Sequence, residues 1–391
     1  MNAFDNIKGD FEHRFVRQDP KMLENMFGAR ELASFWLADM DFKIAPPITK
    51  ELERIVNRGV YAYEFATGEV FDAIVDWNRT RHHLDLNHRS FVQVSGVLTG
   101  ISLLIRELTQ PNDGILIQTP VYHQFARVIK SNGRKIIRNP LQIIDGNYEM
   151  DFEDLEKKLQ ANKVEVILLC NPHNPVGRVW RKEELQTLLE VANRYNVTII
   201  SDEIHADIIY AGYNFNSLMS LSVGKHISLI GSPAKTFGMQ SISNGYIYIP
   251  DEIKMKQIKK TVGAMYLNHG NAFTTFATIA AFQHGGPWLD ELLVYLERSI
   301  SWIQKFLHEE LPLIKIYPVE GTYQIWLDFR PMNLNQKDLT QLLTQKAKLA
   351  LTPGGWFDRE SPLFMRMNIA APLSKIQAAF QQLSIAANEN L

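Results

Sequence analysis

Short, mostly continuous apolar runs recur along the first two thirds of the chain, and helical patterns separate them. The runs are 91–95 FVQVS, 115–118 ILIQ, 164–170 VEVILLC, 197–201 VTIIS, 227–231 ISLIG and 245–249 GYIYI. Strands buried on both faces read this way, because neither face needs polar residues. Between two of them, Leu185, Leu188, Leu189 and Ala192 fall at offsets 0, 3, 4 and 7, the stripe of a helix lying on a sheet. A parallel strand pair needs a crossover of a dozen or more residues, which these spacings supply. The pattern predicts an α/β fold with a largely parallel sheet covered on both sides.

After about residue 285 the pattern changes to a long helical stretch near 287–310, a strand-like 322–328 TYQIWLD, and helical segments near 336–348 and 373–386. This predicts a large domain over 46–285 and a smaller α+β domain made from 1–45 and 286–391. A chain of 391 residues exceeds what one hydrophobic core usually serves, which agrees with two domains. Hydrophobic residues at 46% and charged residues at 21% argue against a disordered or fibrous chain.

The formal net charge is −2, and no Lys/Arg cluster is extensive enough to track a nucleic acid backbone or an anionic membrane. Neither is an expected partner. One cysteine, Cys170, cannot form an internal disulfide, and no Cys/His set has zinc-ligand spacing. The start, MNAFDNIKGDFEHR, has no apolar stretch of signal-peptide length, and no later run approaches a membrane helix. A reduced, cytoplasmic setting is the expectation.

Polar residues cluster where the apolar runs end, the place where loops of an open α/β sheet meet a ligand. Ser95-Gly96-Val97-Leu98-Thr99-Gly100 reads as strand, glycine turn and helix start, whose free N–H groups suit an anion; an ordinary turn has the same signature. Tyr122 follows ILIQ, placed to stack on a flat ring or to pack at the rim. Asn171-Pro172-His173-Asn174-Pro175-Val176-Gly177 forces a structured loop. Asp202 leaves VTIIS, where an ionised carboxylate needs a cation or several donors. It could equally be an N-cap, or a metal ligand with His205, although no third ligand is visible. Lys235, in SPAKTFG, also fits a solvated charge.

Spacing joins these residues. Asn174 to Asp202 is 28 positions and Asp202 to Lys235 is 33, each about one βαβ unit of ~30 residues, so the three are expected at one sheet edge. An anion cradle, a stacking ring, an asparagine, a buried carboxylate and a lysine together suit a phosphorylated, cationic heteroaromatic aldehyde, a description that pyridoxal 5′-phosphate (PLP) meets.

The runs CNPHNPVGRVW, SDEIH, SPAKTF, FWLADMDF and FMRMNIAAP together resemble the PLP-dependent class I/II aminotransferase superfamily (fold type I), and more narrowly its cystathionine β-lyase branch of carbon–sulfur lyases. The likeness extends over about 35–372. It implies that Lys235 carries PLP as a Schiff base and acts as acid and base at the substrate carbon. Asp202 would pair with the pyridine nitrogen, Asn174 and His205 address the ring hydroxyl, and Tyr122 stack on the ring. Gly96, Val97, Leu98 and Ser232 would hold the phosphate, joined by Tyr63 of a neighbouring subunit, which implies a homodimer with shared sites. Arg366, with Asn174, would bind the carboxylate of a small amino-acid substrate. Two positions depart from the pattern: Ser243 stands where many aminotransferases have a phosphate-binding arginine, and Ala234 where the lyase branch often has serine.

The resemblance implies α,β-elimination on a sulfur amino acid, giving a thiol, pyruvate and ammonia. Transamination is the rival, since fold and motifs scarcely separate the two reactions. A third reading is a regulatory, protein-binding role, for which no surface stands out in the sequence.

Overall fold

The computed structural model describes residues 4–5, 15–64, 67–221, 226–267 and 270–388. Most of the first fourteen residues, on which the reading of the chain's start rests, therefore lie outside the described residues.

Seven strands form the main sheet: β1 (Phe91–Val94), β2 (Gly114–Thr119), β3 (Lys135–Pro140), β4 (Val164–Cys170), β5 (Thr198–Asp202), β6 (Ile227–Gly231) and β7 (Gly245–Tyr248). Their order across the sheet is β1-β7-β6-β5-β4-β2-β3. β7 runs antiparallel to both neighbours, and the remaining pairs are parallel. The alternation of side chains along β4 shows why the apolar runs are continuous. Val166, Leu168 and Cys170 enter one core with Ile101, Leu104 and Ile105 of the helix Val97–Leu108. Ile167 and Leu169 enter another with Leu185, Leu188 and Leu189 of the helix Lys182–Arg194. Both faces are apolar because helices cover both.

Sequence periodicity did not reveal β3. Its residues, KIIRNP, are mostly exposed or half-buried at the sheet edge, so the continuous apolar signature of a covered strand is missing.

A second, antiparallel sheet comes from the C-terminal third: β8 (Lys315–Ile316), β9 (Gln324–Asp328), β10 (Thr352–Pro353) and β11 (Phe364–Asn368), ordered β8-β9-β11-β10. The helix Gly286–Glu310 buries Leu289, Leu292, Leu296, Ile300, Ile303 and Leu307. The N-terminal segment joins this part of the chain, with Ala33 and Ser34 pairing in parallel with Leu349 and Ala350. Among the described residues, no helix is long and apolar enough to cross a membrane, and no three His, Cys, Asp or Glu residues are grouped to hold a metal.

Candidate active site

The C-terminal ends of β4 and β5 and the turn after β6 open on one cavity of about 530 Å³, lined by Asn174, Asp202, His205, Ser232 and Lys235. Gly96, Val97, Leu98, Tyr122 and Arg366 share its wall. Asn174, Asp202 and Lys235 thus share one sheet edge, although the crossover from Asp202 to Lys235 carries no α-helix among the described residues, only a 3-10 turn at Leu218–Ser220, and so is not the βαβ unit that the spacing suggested. Tyr63, expected at the site of a neighbouring subunit, is 93% exposed and does not line this cavity.

At one end, Gly96 is the N-cap of the helix Val97–Leu108 and offers no side chain to its first turn. A Cβ added at Gly96 would meet open space. The first N–H groups thus face the cavity at the positive end of the helix dipole, an arrangement that favours an anion. Ser232 Oγ lies close by and donates to Asn244 O at 2.9 Å.

Asp202 is buried at the end of β5, where its Oδ1 accepts from the Ile204 N–H at 3.1 Å. Burial pushes its carboxyl up to about 7, opposed by that hydrogen bond and by the charge of Lys235. Lys235 is half-buried, and its Nζ donates to Ala38 O. Burial lowers its ammonium to about 8, with Asp39 raising it and Arg366 lowering it. His205 is held neutral by burial and by the nearby Lys235 and Arg366 charges, its pKa falling to about 3. Its Nδ1 is buried without a hydrogen-bond partner.

Arg366 projects from β11 and is 2% exposed. Its Nη1 donates to Asn174 Oδ1 at 3.2 Å, and its Nη2 donates to Trp36 O at 2.8 Å and Thr352 Oγ1 at 3.3 Å. Nε has no partner, and no carboxylate among the described residues forms an ion pair with this guanidinium. Burial pulls its pKa down to about 10. A buried cation held by neutral oxygens retains its attraction for an incoming carboxylate.

Tyr122 forms the N-cap of the helix His123–Ser131, half-buried at the cavity wall. Burial raises its phenol, with Arg366 opposing. The next residue, His123, was not anticipated; its ring sits between Trp356 and Phe357, 5.6 Å from each centroid.

Six further residues contribute to the site without a sequence signal that marked them. Trp36, Leu37 and Ala38 wall the cavity through their place in the chain, with Trp36 and Ala38 supplying carbonyl oxygens to Arg366 and Lys235. Thr352 and Trp356 come from the small sheet and the turn after it. Gly245 in β7 lies beneath the helix start, where an added Cβ would come within 2.9 Å of Gly96 C and 3.0 Å of Val97 N. The only local signal for Gly245 is a glycine opening a strand.

The family model for aminotransferase class I and II matches residues 54–383. Cystathionine beta-lyase PatB of Bacillus subtilis (strain 168) is 36% identical over 363 residues, covering 92% of this chain and 94% of that protein. A PLP-bound putative aminotransferase from Clostridium difficile 630 superposes with a TM-score of 0.96 at 36% identity, covering 99% of this chain and 100% of that one. Cystalysin from Treponema denticola, whose structure contains a pyridoxal 5′-phosphate cofactor, superposes with a TM-score of 0.91 at 29% identity, covering both chains fully. With one family model spanning most of its length, and the polar loop ends gathered where the sheet strands end, this chain belongs to the aminotransferase class I and II family.

Proposed function

We propose that the chain is a PLP-dependent carbon–sulfur lyase that acts on sulfur amino acids by α,β-elimination. The observation that carries the reading is a single cavity holding an amine, Lys235, beside a buried carboxylate, Asp202, that has no ion-pair partner among the described residues. The other walls fit the same group: a helix start open to an anion at Gly96, an aromatic ring at Tyr122, and an unpartnered Nδ1 at His205.

When bound, PLP supplies an aldehyde for an amine to attack and a ring that withdraws electrons from the substrate's α-carbon. The N–H groups of Gly96, Val97 and Leu98, with the Ser232 hydroxyl, would hold its phosphate. Asp202 would keep a proton on the ring nitrogen, gaining the cation its burial demands. Asn174 and His205 would address the ring hydroxyl, and Tyr122 would cover one ring face. Arg366 would orient the substrate by its α-carboxylate. Lys235, whose ammonium burial already lowers to about 8 in the cofactor-free chain, would take the Cα proton. The Cβ–S bond would then break with its electron pair going to sulfur, the proton held by Lys235 would pass to the leaving sulfur to give a thiol, and water would convert the released three-carbon enamine to pyruvate and ammonia.

The named lyase relative supports elimination over transamination, as does Ser243 at the place of a phosphate-binding arginine. The similarity to a putative aminotransferase keeps transamination as the second reading. Purified protein given cystathionine and no keto acid should release pyruvate and thiol continuously. A pure transaminase would stop after one turnover without an acceptor, and that outcome with no thiol would replace the lyase reading.

We further infer a homodimer with shared sites in a cytoplasmic setting. Tyr63 can address a cofactor phosphate only from another copy if it stays so exposed in its own. The division into a large domain over 46–285 and a small one from the two ends is supported by the second sheet, built wholly from residues after 310.

A further inference from the structure

Asp207 lies two positions after His205 in the segment that leaves β5, and it is buried. The chemistry set out above makes no use of it. Its carboxylate gathers three side-chain donors from two distant parts of the chain. Trp77 Nε1 and His82 Nε2 each donate to Oδ1 at 2.8 Å, and Thr236 Oγ1 donates to Oδ2 at 2.6 Å. Trp77 and His82 belong to the C-terminal half of the helix Thr67–His82. Thr236 is the residue after Lys235 and is 1% exposed.

Lys235 itself sits in a helix of a single turn, Ala234–Phe237. So short a helix does not hold its own shape in water, because nucleation costs more than one turn of hydrogen bonds returns. Its orientation must come from outside. Ser232 Oγ accepts from Ala234 N at 3.2 Å, fixing where the turn starts, and Gly238 closes it in the left-handed region at φ 70°. Neither contact fixes rotation about the helix axis. Successive helical side chains leave the axis about 100° apart, so anchoring Thr236 on the buried side determines the direction in which Lys235 leaves on the cavity side.

We infer that Asp207 is a positioning residue for Lys235: gripping Thr236, it sets the angle at which the lysine amine enters the cavity and couples that angle to the segment carrying His205. This rests on the reading of Lys235 as the cofactor-bearing lysine. Asp207 is suited to the task. Burial would push its carboxyl up, but His82, Thr236 and Trp77 together hold it below the ordinary value, so it remains ionised and accepts from all three. Trp77 also packs edge-on against Phe237, 5.6 Å between ring centroids, which joins the same helix to the far end of the lysine turn.

The test uses the full chain and two readouts other than turnover. Apo-protein is mixed with PLP, trapped with borohydride at timed intervals, and the labelled peptide quantified; holoprotein is titrated by visible absorbance against pH. Thr236→Val keeps the side chain's shape and removes the donor, Thr236→Ser keeps the donor, and Asp207→Asn disturbs the acceptor. Thr236→Val should slow capture at Lys235 at least fivefold and shift the absorbance midpoint by half a pH unit or more, and Thr236→Ser should stay within twofold of wild type. If folded Thr236→Val captures PLP at the wild-type rate with an unshifted midpoint, Asp207 is only structural and the inference is overturned, even should Asp207→Asn fail to fold. If the wild-type label falls on a residue other than Lys235, the cofactor reading itself is overturned, a result distinct from equal capture by both proteins.

Discussion

Arg366 Nη1 donates to Asn174 Oδ1 at 3.2 Å, joining the middle of β11 to the loop that leaves β4. The same guanidinium takes the Trp36 carbonyl oxygen on its other amino group, so its plane is fixed before any substrate arrives. Arg366→Lys preserves charge and loses that planar fork. Hydrogen bonds to charged groups are worth about 1.5–3 kcal/mol, so kcat/KM for a sulfur amino acid should fall by about ten- to a hundredfold, chiefly through KM. Steady-state kinetics on variants of matched PLP content would check this, and an unchanged KM would remove Arg366 from carboxylate binding.

Asp202 should make the stability of the cofactor-free protein fall as pH rises. Its carboxyl is raised from the ordinary 3.8 to about 7 in the folded chain by burial. A carboxyl raised in this way contributes stability that is fully present below about pH 4 and is lost as pH climbs through about 7. Asp202→Asn removes the contribution, so the apo-variant should gain on wild type between pH 4 and 7 by up to about 4 kcal/mol, at about 1.4 kcal/mol per unit. Denaturant melts at several pH values would show it. A difference that stays flat across that range would mean that the carboxylate is already compensated.

Gly245→Ala should weaken cofactor binding although Gly245 itself is not among the residues assigned to hold the ligand. The new Cβ would press on the backbone at Gly96 and Val97, 2.9–3.0 Å away, where real contacts do not occur. The helix start must move, and with it the N–H groups that face the cavity. An anion at a helix N-terminus is worth up to about 2 kcal/mol in a partly buried site, so the Kd for PLP should rise by up to about thirtyfold. Binding of inorganic phosphate by the apo-protein should weaken in parallel. Wild-type affinity for both would place the anion elsewhere.

Tyr63 should matter only in an assembly. It stands beside exposed Val60 and Tyr61 and away from its own cavity. Sedimentation should therefore report at least a dimer, and Tyr63→Phe should release PLP faster on dialysis. Mixing Lys235→Ala with a severely impaired Tyr63 variant should restore some activity through subunit exchange, because one site of each mixed dimer is intact. A fully active monomer would refute the shared site.

The chain's own order determined much of this. Continuous apolar runs announced β1, β2, β4, β5, β6 and β7 because helices cover both sheet faces, and the polar residues at their ends fell into one cavity because parallel strands point the same way. The spacing of Asn174, Asp202 and Lys235 placed them at one sheet edge, although only the first interval is a true βαβ unit, with the helix Lys182–Arg194; between Asp202 and Lys235 the described crossover has a single 3-10 turn at Leu218–Ser220.

What only the tertiary structure decided lies where no short-range pattern exists. The carbonyl of Trp36 meets Arg366 across 330 positions, and that of Ala38 meets Lys235 across 197. Backbone oxygens have no residue-type signature, so no sequence pattern marks them as site atoms. The grip of Asp207 on Thr236 is similar: an Asp in a loop and a Thr beside a lysine are both ordinary until folding brings them to 2.6 Å in a buried place. Edge strand β3 escaped for the opposite reason, since partial exposure removes the apolar run that covered strands need. Local pattern fixes which segments are strands and which residues end them, because covering both faces constrains every position. The orientation of side chains within the cavity depends on long-range contacts, whose energy is decided only when the distant segments pack together.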